Sequence, residues 1–497
     1  MSKSTSRKLR KQRQREPEPS TADVLVSIGM GDELFHDEDG VGYATVGVKH
    51  ADGSEHKENF PIRSKGYKRS IQARYLDQTD RAASGEALTD ATNILDALAV
   101  NRGPLCQIAT RIGHSNGDCY LDLCDATGRC VRIGPEGWEV IENAPIKFIR
   151  RAGMQALPTP VHGGKLDELR PLLNAEDDSD WILAIAWLVG VFMVSGPYPV
   201  LVVNGEQGSA KSTFCRMLRK LIDPNKADLR SLPREERDMV ISAKNSRILG
   251  FDNISNINPW QSDALCRIST GSGYATRKLY SDDEEQLFSG SLPIITNGIG
   301  DFIDRPDLAE RGIIIRLTPI PDEQRRSERA LWRVFDEVRP RVLGALLDAV
   351  VVALRNIEEV KVPGLPRMAD FARWIVAAET KLPWEPGEFM SVYGGNRRDA
   401  ENSALESSIL GPYIVRLVSE GGGAWSGTSA ELMSAVDRMA SEADRRRLGW
   451  PKSARGYSSA LDRVAPALRR SAGISIERAI VGHDRKKTIN MRQAPEV

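Results

Sequence analysis

The longest uncharged stretch of the chain runs from Trp181 to Gly205. Its length suggests a membrane span, but Ser195–Pro199 reads SGPYP, and two prolines do not allow one continuous helix. The pattern therefore predicts an apolar core helix at Trp181–Val194, followed by a short central strand at Val200–Val203. No association with a membrane is expected.

Short runs of alternating apolar and polar residues dominate residues 21–164. Polar and glycine turns separate these runs, which predicts a strand-rich N-terminal module with one helical insert near Gly85–Leu98. Residues 1–20 hold seven Lys or Arg and almost no apolar side chain, so this segment is predicted to be a disordered basic arm. The arm either contacts nucleic acid or only keeps the chain soluble.

Between residues 165 and 320 strands alternate with helices, which is the pattern of a parallel-sheet α/β domain with leading helices. Helical periodicity continues over 321–392, interpreted as a helical lid, and 393–402 is interpreted as a linker. Residues 403–497 begin with helices and end with two predicted strands around Gly482–Asp484. This order of helix, helix and hairpin predicts a winged-helix-like domain.

Composition narrows the class of protein. Hydrophobic residues make up 41% of the chain and charged residues 27%, which is typical of a soluble globular protein. Because 68 Lys and Arg balance 68 Asp and Glu, any surface for nucleic acid must be local. Six scattered cysteines without a secretory signal indicate a reducing cytoplasm.

Four of these cysteines raise the question of a zinc site, because Cys106, Cys119, Cys124 and Cys130 lie near His114 in the sequence. The spacing contains no paired C-x-x-C, and the residues fall within predicted strands. Packing or chemically idle cysteines are therefore the favoured interpretation.

The segment VLVVNGEQGSAKSTFCRML, Val200–Leu218, joins a strand to an amphipathic helix through a bend of small residues. Such a bend directs backbone N–H groups and the positive end of the helix dipole at a phosphate chain. Lys211 is expected to reach the β- and γ-phosphates, and the Ser212 hydroxyl is expected to bind Mg²⁺. Nucleotide binding is therefore assigned to nine consecutive residues: Gly205, Glu206, Gln207, Gly208, Ser209, Ala210, Lys211, Ser212 and Thr213.

The segment departs from the pattern G-x-x-x-x-G-K-[ST] at Ala210, where glycine is usual. Because this position adjoins the start of the helix, a negative φ is expected there, which alanine tolerates. The cofactors that the segment implies are ATP and Mg²⁺.

A second buried strand, in RILGFDNIS, ends at Asp252. Asp252 is expected to hold Mg²⁺ directly or through water, and to converge with Lys211 across adjacent strand ends; alone, it also fits an ordinary Asp-Asn turn. Many ring ATPases carry a glutamate at the next position, whereas this chain has Asn253. Asparagine orients a water but cannot take its proton, so the general base stays unassigned.

A third strand, in SLPIITNGI, ends at Asn297, which either contacts the γ-phosphate and its water or forms only an Asn-Gly turn. Arg305 and Arg311 then bracket a short helical turn before another apolar strand. Because a guanidinium suits a transition-state phosphate, Arg311, with Arg305 as the alternative, is interpreted as a finger supplied to a neighbouring subunit. The competing interpretation is a salt bridge from Arg311 to Asp307 or Glu310.

The order of these motifs resembles superfamily 3 helicases and the related primase-helicase ATPases of viruses, phages, plasmids and integrative elements. More closely, GEQGSAKST, FDNIS, LCRISTGSGYATRKLYSDDEE and RPDLAERGI resemble a group of mobile-element ATP-binding proteins from high-GC bacteria. The resemblance implies an AAA+-type core that assembles as a hexameric ring with nucleotide between subunits. It assigns the phosphate cradle, the magnesium carboxylate and the sensor to Gly205, Gly208, Lys211, Ser212, Asp252 and Asn297.

The resemblance also assigns Ser269–Leu287 to a hairpin that projects into the ring channel and grips single-stranded DNA. Arg277 and Lys278, flanked by Tyr274 and Tyr280, offer phosphate contacts and stacking faces. However, the acidic sequence SDDEE at Ser281–Glu285 would form the turn, and an acidic tip repels a polyanion. A purely structural hairpin is therefore the alternative.

The C-terminal domain is expected to meet duplex DNA through basic side chains on its last helix and on its wing. The candidates are three helix arginines and three wing residues: Arg463, Arg469, Arg470, Arg485, Lys486 and Lys487. A solvated charged face on a protein-docking domain is the alternative.

Taken together, the sequence predicts an α/β P-loop (AAA+-like) ATPase core with a strand-rich N-terminal module and a C-terminal winged-helix-like domain. The predicted function is that of an ATP-dependent DNA helicase or translocase of a mobile genetic element, acting as a ring in replication. The alternative is an ATP-switched DNA-binding initiator or loader without processive unwinding, which Asn253 and the acidic hairpin tip favour. A small-molecule kinase would leave Arg311 and the C-terminal domain unexplained.

Overall fold

The computed structural model describes residues 19–49, 53, 55–175, 177–277, 285–288, 290–299, 306–447, 449–481 and 486–494. The chain divides into two units, described separately below. Unit 1 consists of residues up to Ala109 and of Ile146–Arg150, and unit 2 consists of Thr110–Pro145 and the chain from Arg151 onward. Within the described ranges, no helix combines the length and the apolar character needed to cross a membrane.

Helices and strands alternate irregularly along the described chain. The helices are α1 (Thr21–Gly29), α2 (Lys65–Thr79), α3 (Gly85–Arg102), α4 (Asp178–Gly190), α5 (Lys211–Ile222), α6 (Glu236–Lys244), α7 (Pro259–Thr270), α8 (Pro306–Ala309), α9 (Glu328–Asn356), α10 (Ala369–Ala378), α11 (Glu388–Ser407), α12 (Gly411–Glu420), α13 (Ser429–Met439), α14 (Glu442–Arg445) and α15 (Ala454–Ser471). Short 3₁₀ turns lie at Leu166–Glu168, Arg170–Leu172, Asp322–Gln324 and Glu379–Lys381.

The strands are β1 (Glu33–His36), β2 (Gly42–Lys49), β3 (Glu55–Pro61), β4 (Ile108–Ala109), β5 (Ile112–Ser115), β6 (Asp118–Asp122), β7 (Cys130–Gly134), β8 (Gly137–Ile141), β9 (Lys147–Phe148), β10 (Val200–Gly205), β11 (Leu249–Ile254), β12 (Tyr274–Arg277), β13 (Glu285–Phe288), β14 (Ile294–Gly298), β15 (Gly312–Leu317), β16 (Ala424–Thr428), β17 (Ile474–Val481) and β18 (Lys486–Gln493).

Unit 1 packs α1, α2 and α3 against the antiparallel sheet β1-β2-β3. The predicted helical insert at Gly85–Leu98 is α3, but α1 and α2 are helices that the strand pattern did not predict. On α2 the buried positions are Tyr67, Ile71 and Tyr75, spaced four residues apart. So narrow an apolar stripe is a weak helical signal in an otherwise polar segment.

The second half of the predicted N-terminal module belongs to unit 2. Here β5, β6, β7 and β8 form an antiparallel sheet whose Leu121, Val131 and Trp138 share one hydrophobic core with α4 and α9. Trp138 Nε1 also donates a hydrogen bond to Asp348 of α9 at 2.8 Å. The predicted module at 21–164 is therefore divided between the two units, because its last sheet buries its apolar face against helices far along the chain.

Unit 2 is a mixed α/β structure with four parallel strands in the order β11-β14-β10-β15. Alternate residues of β10 enter two different cores: Leu201 and Val203 pack with α4 and α5, and Val200 and Val202 pack with α6 and α7. Both faces of the sheet are therefore covered. The expectation that Lys211 and Asp252 follow adjacent strands is wrong, because β14 lies between β10 and β11.

Helices α4, α9 and α10 contribute to the larger core of unit 2. Every residue of α4 from Trp181 to Gly190 is buried, and α9 and α10 contribute Leu346, Val350 and Phe371 to the same core. The predicted core helix at Trp181–Val194 is thus α4. The segment interpreted as a lid, 321–392, is part of this core.

The predicted linker at 393–402 is wrong, because these residues lie within α11. Tyr393 is fully buried and its ring stacks on Phe389 at 5.4 Å. One turn later, the Asn396 side chain accepts a hydrogen bond from the backbone N–H of Ile314 at 3.0 Å and donates one to the carbonyl of the same residue. Two glycines between these anchors weaken helix propensity, but tertiary contacts hold the helix.

The last part of unit 2 has its own small core. Helices α12, α13 and α15 pack against the antiparallel sheet β16-β18-β17 through residues such as Ile414, Leu461 and Ile489. Helix α13 begins with a capping box between Thr428 and Glu431. Pro466 lies inside α15, which continues to Ser471.

Candidate functional site

The loop between β10 and α5 contains two residues in the left-handed backbone region. Gly208 has φ 88° and Ala210 has φ 59°. The expectation of a negative φ at Ala210 is wrong, since the chain reverses immediately before the first turn of α5. Glycine is usual at such a position because it has no Cβ to strain, and alanine adopts this conformation at a cost of roughly 1 kcal/mol.

Lys211, the first residue of α5, folds its side chain back over this loop. Its Nζ donates hydrogen bonds to the carbonyls of Gly205 at 2.9 Å and Glu206 at 2.7 Å. Partial burial lowers the pKa of Lys211, and the nearby carboxylate of Asp252 opposes that effect. The Lys211 side chain is therefore held by main-chain oxygens rather than by an acidic side chain.

The next residue connects the loop to the end of β11. The Ser212 hydroxyl donates a hydrogen bond to Asp252 Oδ1 at 2.8 Å. The two residues are 40 positions apart in the sequence, and both side chains are half-buried. A hydroxyl and a carboxylate oxygen at this distance are ligands of the type that Mg²⁺ prefers.

Between these groups, β14 places Asn297 at the centre of the sheet edge. Asn297 is buried, and its Oδ1 accepts a hydrogen bond from the backbone N–H of Asn253 at 3.1 Å. Its Nδ2 is buried and meets no acceptor of normal geometry in the described chain; the weakly accepting Cys215 sulfur lies beside it. A buried amide donor without an oxygen partner is unusual, and it fits a phosphate oxygen or an ordered water.

Lys211, Ser212, Asp252 and Asn297 together form what is called the strand-end site below. Parallel α/β sheets bind ligands outside the carboxyl ends of their strands, where these four side chains lie. The adjacent Asn253 has a positive φ of 55° and an exposed side chain. Asn253 therefore holds the Asn297 side chain through its backbone N–H and leaves its own side chain in solvent.

Arg311 lies in a different electrostatic environment. Its guanidinium pairs with the Asp307 carboxylate one helical turn earlier and donates to the Asp307 carbonyl at 2.9 Å, while its Nε is buried without a partner in the described chain. Burial raises the pKa of Asp307, but the hydrogen bond and charge of Arg311 outweigh burial and lower it overall. The salt bridge considered as the competing interpretation is present.

Asp307 and Arg311 belong to a larger group of charged side chains that joins α8, α11, α15 and the segment before α10. Arg367 pairs with Glu310, and Arg470 pairs with both Glu310 and Glu401. The ion-pair cluster consists of Asp307, Glu310, Arg311, Arg367, Arg397, Glu401 and Arg470. Sequence reasoning missed this cluster and had assigned Arg470 to duplex DNA, because the partners of Arg470 lie 69 and 160 positions away.

The predicted DNA hairpin is described only through its backbone. Strands β12 and β13 form an antiparallel pair in which Arg277 opposes Glu285. Lys278, Tyr280, Arg305, Arg485 and most of the acidic turn lie outside the described residues. On β18, Lys487 follows Lys486 and has an exposed side chain.

Two of the cysteines considered for zinc lie on the paired strands β6 and β7. Cys119 and Cys130 are buried in β6 and β7, and burial raises the pKa of each thiol to about 12. Burial also lowers the pKa of His114 to about 4, and its Nε2 lies 3.0 Å from the carbonyl of Phe192. Among the described side chains, no group of three His, Cys, Asp or Glu is placed to hold a metal ion.

Comparison with known protein families identifies the family of this chain. Residues 166–382 match the family model described as Actinomycete integrative conjugative element replication protein, abbreviated AICE RepA. Residues 410–496 match the model described as the AICE RepA C-terminal domain, and together the two matches cover more than half of the chain. The chain belongs to the AICE RepA family. It is thus a replication protein of an integrative conjugative element. No curated protein shows significant sequence similarity to it.

Two solved structures are weakly similar to this AICE RepA protein. The A-form apo structure of the NrS-1 C-terminal region is similar over 95% of this chain and 98% of that chain, with 12% identity and a TM-score of 0.40. A structure of JCV helicase with a bound acetamide compound is similar over 44% of this chain and 65% of that chain, with 11% identity and a TM-score of 0.21. Similarities this weak do not define the activity of an AICE RepA protein.

Proposed function

We propose that this AICE RepA protein is an ATP-dependent DNA motor that hydrolyses ATP·Mg²⁺ at the strand-end site during replication of its element. One observation carries the proposal: the Ser212 hydroxyl bonds Asp252 Oδ1 at 2.8 Å beside the Lys211 ammonium. A P-loop ATPase requires this arrangement. Its lysine contacts the nucleotide phosphates, and next to it a hydroxyl and a carboxylate hold the metal ion.

Each residue then has a defined task. The loop from Gly205 to Ala210 presents backbone N–H groups to the phosphate chain, and Lys211 neutralises its charge. Ser212 and Asp252 hold Mg²⁺, which supplies charge stabilisation when bound. Asn297, which keeps a buried Nδ2 donor without an oxygen partner, contacts the γ-phosphate or its water.

The remaining parts of the proposal concern assembly and DNA. Subunits would form a ring. The β12–β13 hairpin would face the ring channel and contact single-stranded DNA. Arg311 or Arg305 would act on the nucleotide of the neighbouring subunit. For Arg311, this requires that it leave Asp307. The C-terminal part, with helices α12, α13 and α15 before the β17–β18 hairpin, has the element order of a winged helix and would contact duplex DNA.

The test is ATP hydrolysis by the purified full chain with and without single-stranded DNA. We expect DNA to stimulate hydrolysis, Lys211→Ala to abolish it, and Lys226→Ala, which removes an exposed lysine after α5, to leave it unchanged. Mass photometry with ATP reports ring formation, and forked substrates of both polarities report unwinding. A turnover rate that is insensitive to DNA, without ring formation, would exclude a motor.

A second candidate function is an ATP-dependent switch that loads or marks DNA without unwinding it. Two observations favour it: Asn253 stands where a carboxylate base is usual, and Arg311 is held by Asp307 within its own chain. Slow hydrolysis together with tight, ATP-dependent binding of duplex DNA would support this function over the motor.

A further inference from the structure

A cavity of about 810 Å³ opens beside the strand-end site, on the side away from β11. It begins at the loop residues Gly208 and Ala210 and continues between α5 and the start of α9. Its volume lies in the range that encloses a small organic ligand. Its apolar wall is formed by Leu172, Leu173, Phe214, Ile320 and Leu331.

The wall and the loop are held together by hydrogen bonds. Asn174, which also lines the cavity, donates from Nδ2 to the carbonyls of Ser209 at 3.1 Å and Thr318 at 2.7 Å. The backbone N–H of Ile320 donates to the carbonyl of Gly208 at 3.3 Å. Hydrogen bonds therefore hold the loop, Asn174 and the segment after β15 together around the cavity.

The segment after β15 places the positively charged side chain of Arg325 near the loop between β10 and α5. An added Cβ at Gly208 would lie 3.4 Å from Nη2 of Arg325, so the guanidinium lies close to the loop. Arg325 donates from Nε to the carbonyl of Ile320 at 3.3 Å and pairs with Asp322 at 3.0 Å. The Asp322 side chain is 88% exposed, and such exposed pairs exchange their partners readily.

We infer that the cavity takes the nucleoside part of the nucleotide, and that Arg325 contacts the phosphate chain on the cavity side, within the same subunit as Lys211. The inference rests on the proposed function, because it extends the nucleotide from the strand-end site into the cavity. Apolar side chains offer contact to the faces of a base, and a guanidinium offers two parallel donors to phosphate oxygens. Arg325 is thus distinct from Arg311, which is proposed to act on a neighbouring subunit.

The experiment measures binding of fluorescent N-methylanthraniloyl ATP and ADP to the full chain by anisotropy. We expect Arg325→Ala to weaken both nucleotides by roughly tenfold, because a charge-assisted hydrogen bond is lost, and Arg325→Lys to restore part of the affinity. The matched control is Arg329→Ala, an exposed arginine one turn further on that does not line the cavity. It is expected to bind like the wild type.

A second measurement tests the nucleoside part. Unlabelled ATP is expected to displace the probe at a concentration at least roughly tenfold lower than inorganic triphosphate does, and Leu331→Ala is expected to narrow this gap. Equal competition by ATP and triphosphate would overturn the cavity assignment. Thermal unfolding of each variant shows that the fold is retained.

The outcomes separate the inference from the proposed function. If the wild type binds neither nucleotide, the proposed function fails. If the wild type binds both, Lys211→Ala binds neither and Arg325→Ala binds like the wild type, the inference alone is overturned. A loss for ATP but not for ADP in Arg325→Ala also overturns it, since Arg325 would then act on the γ-phosphate.

Discussion

The strand-end site and the ion-pair cluster both gather charged side chains in unit 2, but different partners hold them. At the strand-end site, Lys211 bonds main-chain carbonyls, and Asp252 accepts from a serine hydroxyl. In the cluster, Glu310 and Glu401 are buried and each is paired with arginines. The charges of the strand-end site therefore remain available to a ligand, whereas the carboxylates and arginines of the ion-pair cluster neutralise one another.

The difference shows what each group does for the protein. Neutral partners such as carbonyls and hydroxyls can be exchanged for phosphate or Mg²⁺ without leaving a buried charge unpaired. An acid removed from a buried cluster leaves its arginines without a counter-ion, which destabilises the fold. We therefore expect changes at the strand-end site to affect activity, and changes in the cluster to affect stability.

The largest expected effect is that of Asp252→Asn on hydrolysis. The amide keeps the size and the acceptor for Ser212 but loses the negative charge that is proposed to hold Mg²⁺, so on the proposed function ATP hydrolysis should fall by about 100-fold or more. The unfolding free energy, from urea titration, should change by less than about 1 kcal/mol. The control is Asp238→Asn on the exposed face of α6. A large loss of stability with retained hydrolysis would contradict the assignment of activity to the strand-end site and of stability to the ion-pair cluster.

Glu310→Gln is the corresponding change in the cluster. Arg367 and Arg470 lose their shared carboxylate, and because their side chains are 43% and 41% exposed, water replaces part of it. We expect a loss of about 2 kcal/mol in the unfolding free energy, below the value for a fully buried pair. A change under about 0.5 kcal/mol would mean that the cluster does not stabilise the fold.

Arg470→Ala should cost less, about 1 kcal/mol, because its side chain is partly exposed. Arg469→Ala, the exposed neighbour, should leave stability unchanged and, if the C-terminal part binds duplex DNA, weaken that binding. A double-mutant cycle of Arg470→Ala with Glu401→Gln measures their coupling. Absence of coupling would contradict the observed pair.

Ala210→Gly should stabilise the protein by roughly 1 kcal/mol, because glycine adopts the observed φ of 59° without strain. Thermal or urea unfolding measures this gain, and binding of ATP should be retained. A destabilised glycine variant would show that Ala210 does not adopt this conformation in solution.

The smallest effect concerns pH and the Asp307–Arg311 pair. The pKa of Asp307 is lowered from 3.8, so its contribution to stability is present above that value and is lost as pH falls below it. The difference in unfolding free energy between the wild type and Asp307→Asn, below about 1 kcal/mol, should stay constant from pH 7 to about pH 5 and shrink below about pH 4. A constant difference down to pH 3 would contradict the pairing.

Much of the strand-end site was predictable from local sequence. A β-branched strand, a small-residue bend and an amphipathic helix identified Gly205–Ser212, and apolar strands ending in polar residues identified Asp252 and Asn297. These signals predicted β10, α5, β11 and β14 because each depends on backbone propensities within a few residues. The same reasoning predicted that α4 lies in the core, because a helix that is apolar on all sides must be buried.

Other features depended on residues far apart in the chain. The order β11-β14-β10-β15 places Asn297 between Lys211 and Asp252, and no local pattern states which strands pair. The helix that replaces the predicted linker is held by Tyr393 and Asn396, and the cluster joins residues up to 160 positions apart.

The sequence by itself thus determined which residues carry charge at strand ends and which segments are apolar enough to be buried. The tertiary structure decided which strands are neighbours, that Ala210 takes a left-handed conformation, and which arginines are neutralised. The physical reason is that backbone propensity acts over single turns, whereas strand order and ion pairing follow from burying apolar faces that meet only after folding.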